Sequence, residues 1–430
     1  MDHARNYLDA GVITGEYKGS WLKDKHFVLW GIKYQHENID DRLNEWELID
    51  SAGYSLPNPS TVTGGITDPK EPLVLDEAIR TDINLSTNRI MGYVQDTWDL
   101  LGEGRELTIT AGIRFHYWDY NRQFLVSPRA SVAYKPLWQK DIVFRLSTGY
   151  YYQPPFYKEL RDLEGNLNPD IRAQKSIHVV AGMDWNFFAW GRPFKFTTEA
   201  YYKYLDDLIP YYVDNVRIRY VAENIAHGYA TGIDFKVNGE FIKGTESWFS
   251  LSFLKTEEDI EGDHYTNYYN ASGELIIPGY TPDQVVVDSA LIEPGYIPRP
   301  TDQRVNFGLF FQDYLPLIPS FKANLTLIFG TGLPFGPPDA ELYERDWRYP
   351  PYRRVDLGFS KLLVGEKTRF NDKNPLKYID NAWISLEIFN LFQISNTVSY
   401  IWVTDVNGRQ YAVPNYLTPR LVNLKLIVEF

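Results

Sequence analysis

Hydrophobic and polar residues alternate along this chain with a period of two. From Glu106 to Trp118, Leu107, Ile109, Ala111, Ile113, Phe115 and Tyr117 alternate with Thr108, Thr110, Gly112, Arg114, His116 and Trp118. A strand gathers such a set on one face, whereas a helix would scatter it around its circumference. Asp141 to Tyr152 places Ile142, Phe144, Leu146 and Tyr150 opposite Arg145, Ser147 and Tyr151. Pro193 to Leu205 sets Phe194, Phe196, Ala200, Tyr202 and Tyr204 against Lys195, Thr197, Glu199, Tyr201 and Lys203. Phe321, Ala323, Leu325, Leu327 and Phe329 likewise oppose Lys322, Asn324 and Thr326. The chain ends in the same manner, with Val422, Leu424, Leu426, Val428 and Phe430 on one face and Asn423, Lys425 and Glu429 on the other.

The connectors come in two sizes. Leu101 to Arg105, Ala189 to Pro193 and Ile242 to Glu246 are short, whereas Glu37 to Ile83, Gln153 to Ala173, Asp206 to Ala226 and Thr256 to Asp302 are long. Alternating short turns and long loops between amphipathic strands predict an all-β, antiparallel transmembrane barrel of meander topology. The pattern gives about fifteen spanning strands, each near the ~10 residues that a tilted strand needs. The terminal strand with its final Phe resembles the closing strand of bacterial outer-membrane barrels, which ends at the periplasmic rim. With Phe430 placed there, the first strand, about Leu8 to Leu22, runs inward from an extracellular loop. An odd count predicts one partial barrel domain over residues 1–430, with a seam between its first and last strands that is open or closed only by distortion. Leu107, Ile109, Ile113, Phe115, Ile142, Phe144, Leu146, Phe194 and Phe196 are expected to face outward and be highly exposed. Arg114, Arg145, Lys195 and Glu199 are expected to face the lumen, because an Arg or Lys at the lipid midplane costs about 2–4 kcal/mol.

Composition agrees with this reading. Aromatic residues are 16% of the 430, with 32 Tyr, 24 Phe and 12 Trp, and Tyr and Trp favour membrane–water interfaces. No apolar run reaches the roughly 18 residues of a transmembrane helix. The absence of Cys excludes disulfides, thiolate metal sites and a cysteine nucleophile. A net charge of −13 argues against nucleic acid as a partner. No export signal is visible at Met1, which fits a chain whose N-terminal part lies elsewhere.

Seven segments in order carry a family likeness. They are Gly92-Tyr-Val-Gln-Asp-Thr-Trp98, Leu107-Thr-Ile-Thr-Ala-Gly-Ile-Arg-Phe115, Ser127-Pro-Arg-Ala-Ser-Val-Ala-Tyr134, Gly149 to Leu160, Leu167 to Ser176, Pro351 to Ser360 and Leu386 to Phe392. The chain resembles the barrel of TonB-dependent outer-membrane receptors, in a form similar to those of Bacteroidetes-type bacteria. That resemblance implies a barrel of about 22 strands with an N-terminal plug, of which this chain holds the C-terminal portion without the plug. It implies active uptake of a chelated metal, cobalamin, glycan or peptide. The TonB energy-transducing complex would act through the plug region, and lipid and lipopolysaccharide would surround the wall. The alternative is a passive porin or an adhesion barrel. No cofactor is expected.

Site residues follow from chemistry. The loop from Glu341 to Arg354 interleaves aromatics with arginines, so Arg345, Trp347, Arg348 and Tyr349 are candidates for substrate contact. His116, Trp118, Tyr151 and Lys203, pointing inward near the outer rim, form a second set, and Gln153 and Tyr157 adjoin the mouth. Gln153-Pro-Pro-Phe-Tyr157 also terminates strand pairing, because proline lacks a donor. The seven histidines, at 3, 26, 36, 116, 178, 227 and 264, have no metal-ligand spacing. The acidic run Glu257 to His264 lacks the ligand register of a calcium loop. No nucleophile elbow or phosphate-cradling loop is present, so an enzyme is not expected.

Overall fold

The computed structural model describes residues 2–49, 74–100, 102, 106–214, 216–278, 280–315, 318–338, 340–365, 368, 374, 378–404, 410–417 and 419–430. Fifteen long strands follow one another: β1 (Tyr7–Lys23), β2 (His26–Ile49), β3 (Val74–Asp99), β4 (Glu106–Trp118), β5 (Gln123–Lys135), β6 (Asp141–Gln153), β7 (Gln174–Ala189), β8 (Arg192–Leu208), β9 (Ala226–Ile242), β10 (Thr245–Ile260), β11 (Val305–Leu315), β12 (Ile318–Gly330), β13 (Tyr352–Val364), β14 (Asn381–Phe389) and β15 (Leu421–Glu429). Each pairs antiparallel with the next in one meander sheet. Two short strands, Asp2–Ala4 on β2 and Ile297–Pro298 on β10, bring that sheet to 17. Among the described residues no ladder joins β1 to β15, so the seam is open.

The two ends of the sheet differ. At one, β1 and β2 are separated by two residues, and β7 and β8 by Trp190-Gly191. Both residues of the Trp190-Gly191 turn have positive φ, 53° and 70°, as a two-residue hairpin turn matched to strand twist requires. At the other end lie the long loops. The expected alternation has exceptions. Asp119–Arg122 is a tight turn at the long-loop end. The expected long connector Glu37 to Ile83 is mostly strand, because β2 and β3 have 24 and 26 residues and stay paired as far as Ile49 and Val74. Their intervening residues 50–73 lie outside the described residues. A 26-residue strand spans roughly 85 Å, far more than a bilayer core, so this hairpin projects beyond the wall.

Register gives the sheet two chemically opposite faces. Val132, Leu146, Ala181, Ala200, Ile233, Phe253 and Val305 stand side by side across seven strands, and Leu357, Ile388 and Val422 continue the apolar face to β15. Much of this face is open, with Leu146 54% and Leu424 68% exposed. Soluble monomers rarely expose apolar patches beyond roughly a few hundred Å². On the opposite face Arg145 meets Glu199 at 2.9 Å and Asp184 at 3.4 Å, while Lys195 reaches Asp184 at 3.5 Å. Loops several strands apart meet on this charged side: Arg161, after β6, pairs with Asp41 of β2 at 2.9 Å. The charged face is therefore the inner one, and Arg114, Arg145, Lys195 and Glu199 lie on it as expected.

The outward set keeps its face but not its uniform exposure. Phe194 is 5% exposed, because Phe187, Trp190 and Phe241 pack their rings around it at centroid distances of 5.6, 5.8 and 5.0 Å. Leu107, Ile109, Ile142 and Phe196 are half-buried beneath side chains of neighbouring strands. The main dry core lies at the long-loop end. Leu160, Ile171 and Ile209 from the loops pack on Ile39, Ile83, Leu85 and Trp118 of the inner wall.

Candidate functional site

The loop that joins β6 to β7 folds inward and is fixed residue by residue. Pro154 and Pro155 stop the β6 ladder, and the Pro155 carbonyl accepts a hydrogen bond from Arg89 Nη2 at 3.0 Å. Arg89 also donates from Nε to Glu37 at 3.2 Å and lies 3.8 Å over the Trp118 ring. Thr81 Oγ1 donates to the Gly165 carbonyl, and Asn121 to that of Ile171. Glu159 is buried, and that burial pushes its carboxyl above the usual range, although the Phe156 N–H and Gln174 Nε2 both donate to it. Tyr220, packed on the same core, has its phenol pushed up to about 12 by burial and by the charges of Glu159 and Tyr211.

This packing removes some candidates from ligand reach. Trp118 is 1% exposed beneath Arg89, and Tyr157 packs on the loop core. Gln153 merely touches the neighbouring Pro154 carbonyl at 3.5 Å. Trp118 and Tyr157 build the cap, whereas Gln153 stays exposed at the end of β6.

The arginines of the 341–354 loop are also structural. Arg348 donates to the carbonyl of Asp302 at 2.7 Å and pairs with its carboxylate, which Arg304 and the Thr256 N–H share. Asp302 is fully buried, so this knot ties two loops and β10 together. Arg345 donates to the Ala340 and Pro338 carbonyls and lies 4.7 Å over Tyr212, in the loop between β8 and β9. Tyr349 stacks on Phe335 at 4.3 Å and faces Tyr400 at 5.5 Å. Trp347 meets Phe335 edge-on and remains 53% exposed, and Arg348 beside it is also exposed despite its bonds to Asp302. The acidic run is likewise engaged: Glu257 pairs with Lys255 at 2.8 Å and Glu258 with Arg299 at 2.8 Å. Among the described residues no cluster of three or more metal-ligating side chains occurs.

His116, Tyr151 and Lys203 all lie on the inner wall, where register connects them. Arg129, Gly149, His178 and Lys203 stand in one row across β5 to β8. Arg129 lies 3.9 Å over the Tyr151 ring, and Tyr151 stacks on His178 at 4.0 Å. A Cβ on Gly149 would come within 2.8 Å of the Arg129 stem, so the glycine lets that side chain lie flat on the wall. Next to this stack, Arg114 lies 5.6 Å over Tyr93. A hollow of about 440 Å³ opens between them, lined by Lys33, Tyr93, Arg114, His116 and Arg129 among others. Sequence reasoning found Tyr151 and His116 but not Arg129 or Tyr93 as site residues. The glycines at 112 and 149 interrupt otherwise alternating strands, and they were the available signal.

Apolar outside, charged inside, and covered at one end by folded loops, this wall has the architecture of an outer-membrane receptor barrel. The chain belongs to the TonB dependent receptor-like, beta-barrel family, whose model matches residues 4–391. That family resides in the bacterial outer membrane. Among solved structures, the outer membrane transporter YddB from Escherichia coli covers 99% of this chain at 12% identity and a TM-score of 0.57. The FrpB iron transporter from Neisseria meningitidis (F3-3 variant) covers 98% at 11% identity and a TM-score of 0.57. The copper transporter OprC covers 98% at 12% identity and a TM-score of 0.55. At such identities the likeness shows the fold. The chain spans about half of their lengths: 54%, 55% and 57%. No curated protein matches the sequence.

Proposed function

We propose that this chain forms the wall and outer loops of a receptor that imports a scarce nutrient across the outer membrane, driven through TonB. The observation that carries the reading is the wall's polarity, apolar outside and charged within, together with loops that fold inward over one end. The long loops would face outward, among lipopolysaccharide, with Phe430 at the periplasmic rim. Lipid cannot satisfy the backbone groups at the outer edges of β1 and β15, so the sheet would work within a larger closed barrel. Energy coupling would come from a plug region outside this chain. Trp347 and the inner-wall hollow would meet the cargo, a chelated metal, cobalamin, glycan or peptide.

The cysteine-free sequence makes orientation testable. Tyr280→Cys, in a long loop, should react with a membrane-impermeant maleimide in intact cells. Lys243→Cys, in a short turn, should react only after lysis. The reverse result would overturn the orientation. Uptake that persists undiminished in cells lacking TonB would replace the receptor reading with a passive pore.

A further inference from the structure

The hollow on the inner wall has an unusual charge balance for a chain with a net charge of −13. Lys33, Arg114 and Arg129 line it, and among the described residues none of the three has a carboxylate at ion-pair distance. Its one acidic residue, Glu16, is engaged with Lys18 at 2.9 Å. Arg114 and Arg129 are diagonal neighbours across β4 and β5, since Arg114 pairs with Ser127 and Arg129 with Gly112. Like charges gathered on a wall backed by lipid repel strongly unless an anion lies between them. Nor are the guanidiniums adrift: Arg129 lies against Tyr151, which is backed by His178, and Arg114 lies on Tyr93. Arg129 donates from Nε to the Tyr150 carbonyl at 3.4 Å, which leaves its two terminal nitrogens as the fork that matches the paired oxygens of carboxylate or phosphate. His116 adds a second observation, because its Nε2 is buried without a hydrogen-bond partner on the same side of β4.

We propose that this hollow is an oxyanion-binding site for a small ligand that carries two or more carboxylate or phosphate groups. Arg114 and Arg129 supply the forked contacts, Lys33 adds charge, and His116 is the remaining polar partner. A hollow of about 440 Å³ suits a citrate-sized molecule. The inference rests on the uptake reading, in which this hollow meets the cargo, but equilibrium binding tests the site separately from transport.

The test titrates the protein purified from outer membranes in detergent micelles, at low salt, with citrate and with pyrophosphate, by calorimetry. Saturable binding of at least one probe is expected, and the stronger of the two identifies the oxyanion. Replacing Arg114→Gln and Arg129→Gln together should weaken it about tenfold or more, equivalent to about 1.4 kcal/mol. Lys322→Gln removes an inner-wall charge elsewhere and should leave binding within about twofold. Heat-modifiable migration checks folding. Should the double variant not fold, Arg129→Lys decides, since it keeps the charge but loses the fork and must still weaken binding. Absence of binding, or an equal loss in Lys322→Gln, would overturn the proposal. So would a glutamate-rich peptide that binds more tightly than either small anion, because the wall would then be docking a protein segment.

Discussion

Two stretches of the same inner wall treat charge in opposite ways. On β6 to β8, Arg145, Asp184, Lys195 and Glu199 form a network in which each cation has a carboxylate within 2.9–3.5 Å. Four residues along β6, roughly 13 Å away, the row of Arg129 has aromatic rings and glycines beside it instead. The first stretch is complete in itself, and its charges hold neighbouring strands together. The second has positioned cations without the anions that would offset them. A lumen wall therefore need not be uniform, and the local charge balance distinguishes scaffold from surface left available for something else. The Arg89–Glu37 pair extends the comparison to its buried limit, because both side chains are nearly covered by the inward loop.

These three settings should give graded responses to charge removal, measured as urea-unfolding free energies of the purified protein in detergent micelles. Arg89→Ala should have the largest effect, about 3–5 kcal/mol, because it leaves Glu37 buried and unpaired and also releases the Pro155 carbonyl and the Trp118 ring. Limited proteolysis should then cut between residues 154 and 173. A loss below about 1 kcal/mol would mean that water reaches this pair and that the loop core does not depend on it. Asp184→Ala comes next. It strands Lys195 and leaves Arg145 with Glu199 alone, but the two cationic side chains are 46% and 38% exposed, so solvent screening should reduce the loss to about 1–2 kcal/mol.

Alternation alone disclosed the wall. Leu107 through Trp118 state a strand, its length and its two faces, because side-chain direction in a strand follows parity and a charge facing lipid is costly. Fifteen long strands and an open seam followed from the same rule. What parity cannot give is register, which decides that Arg129 sits beside Gly149 and His178. Nor can it reveal that Phe194, alternating like its neighbours, lies under three other rings. The arginines among the loop candidates are engaged within the protein, which the sequence could not show for a related reason. Interleaved arginines and aromatics look the same in sequence whether they await a ligand or, like Arg348 on Asp302, fasten loops to one another. His116 and Tyr151 were legible as inward residues near the rim, but the cations that give them a role belong to strands whose alignment no local pattern specifies.

The smallest effect is the most informative. Arg114→Gln should leave the unfolding free energy unchanged within about 0.5 kcal/mol, or raise it slightly, because Arg114 has no acidic partner to lose and its charge repels that of Arg129. Any gain should shrink as salt rises, since at about 0.1 M the screening length is already near 10 Å. Arg114→Ala should cost somewhat more than Arg114→Gln, because it also removes the side-chain stem that covers Tyr93. If instead Arg114→Gln destabilises the chain as much as Asp184→Ala, Arg114 has an internal counter-charge after all. The two stretches of wall would then be alike, and the hollow would have no uncompensated charge to offer an anion.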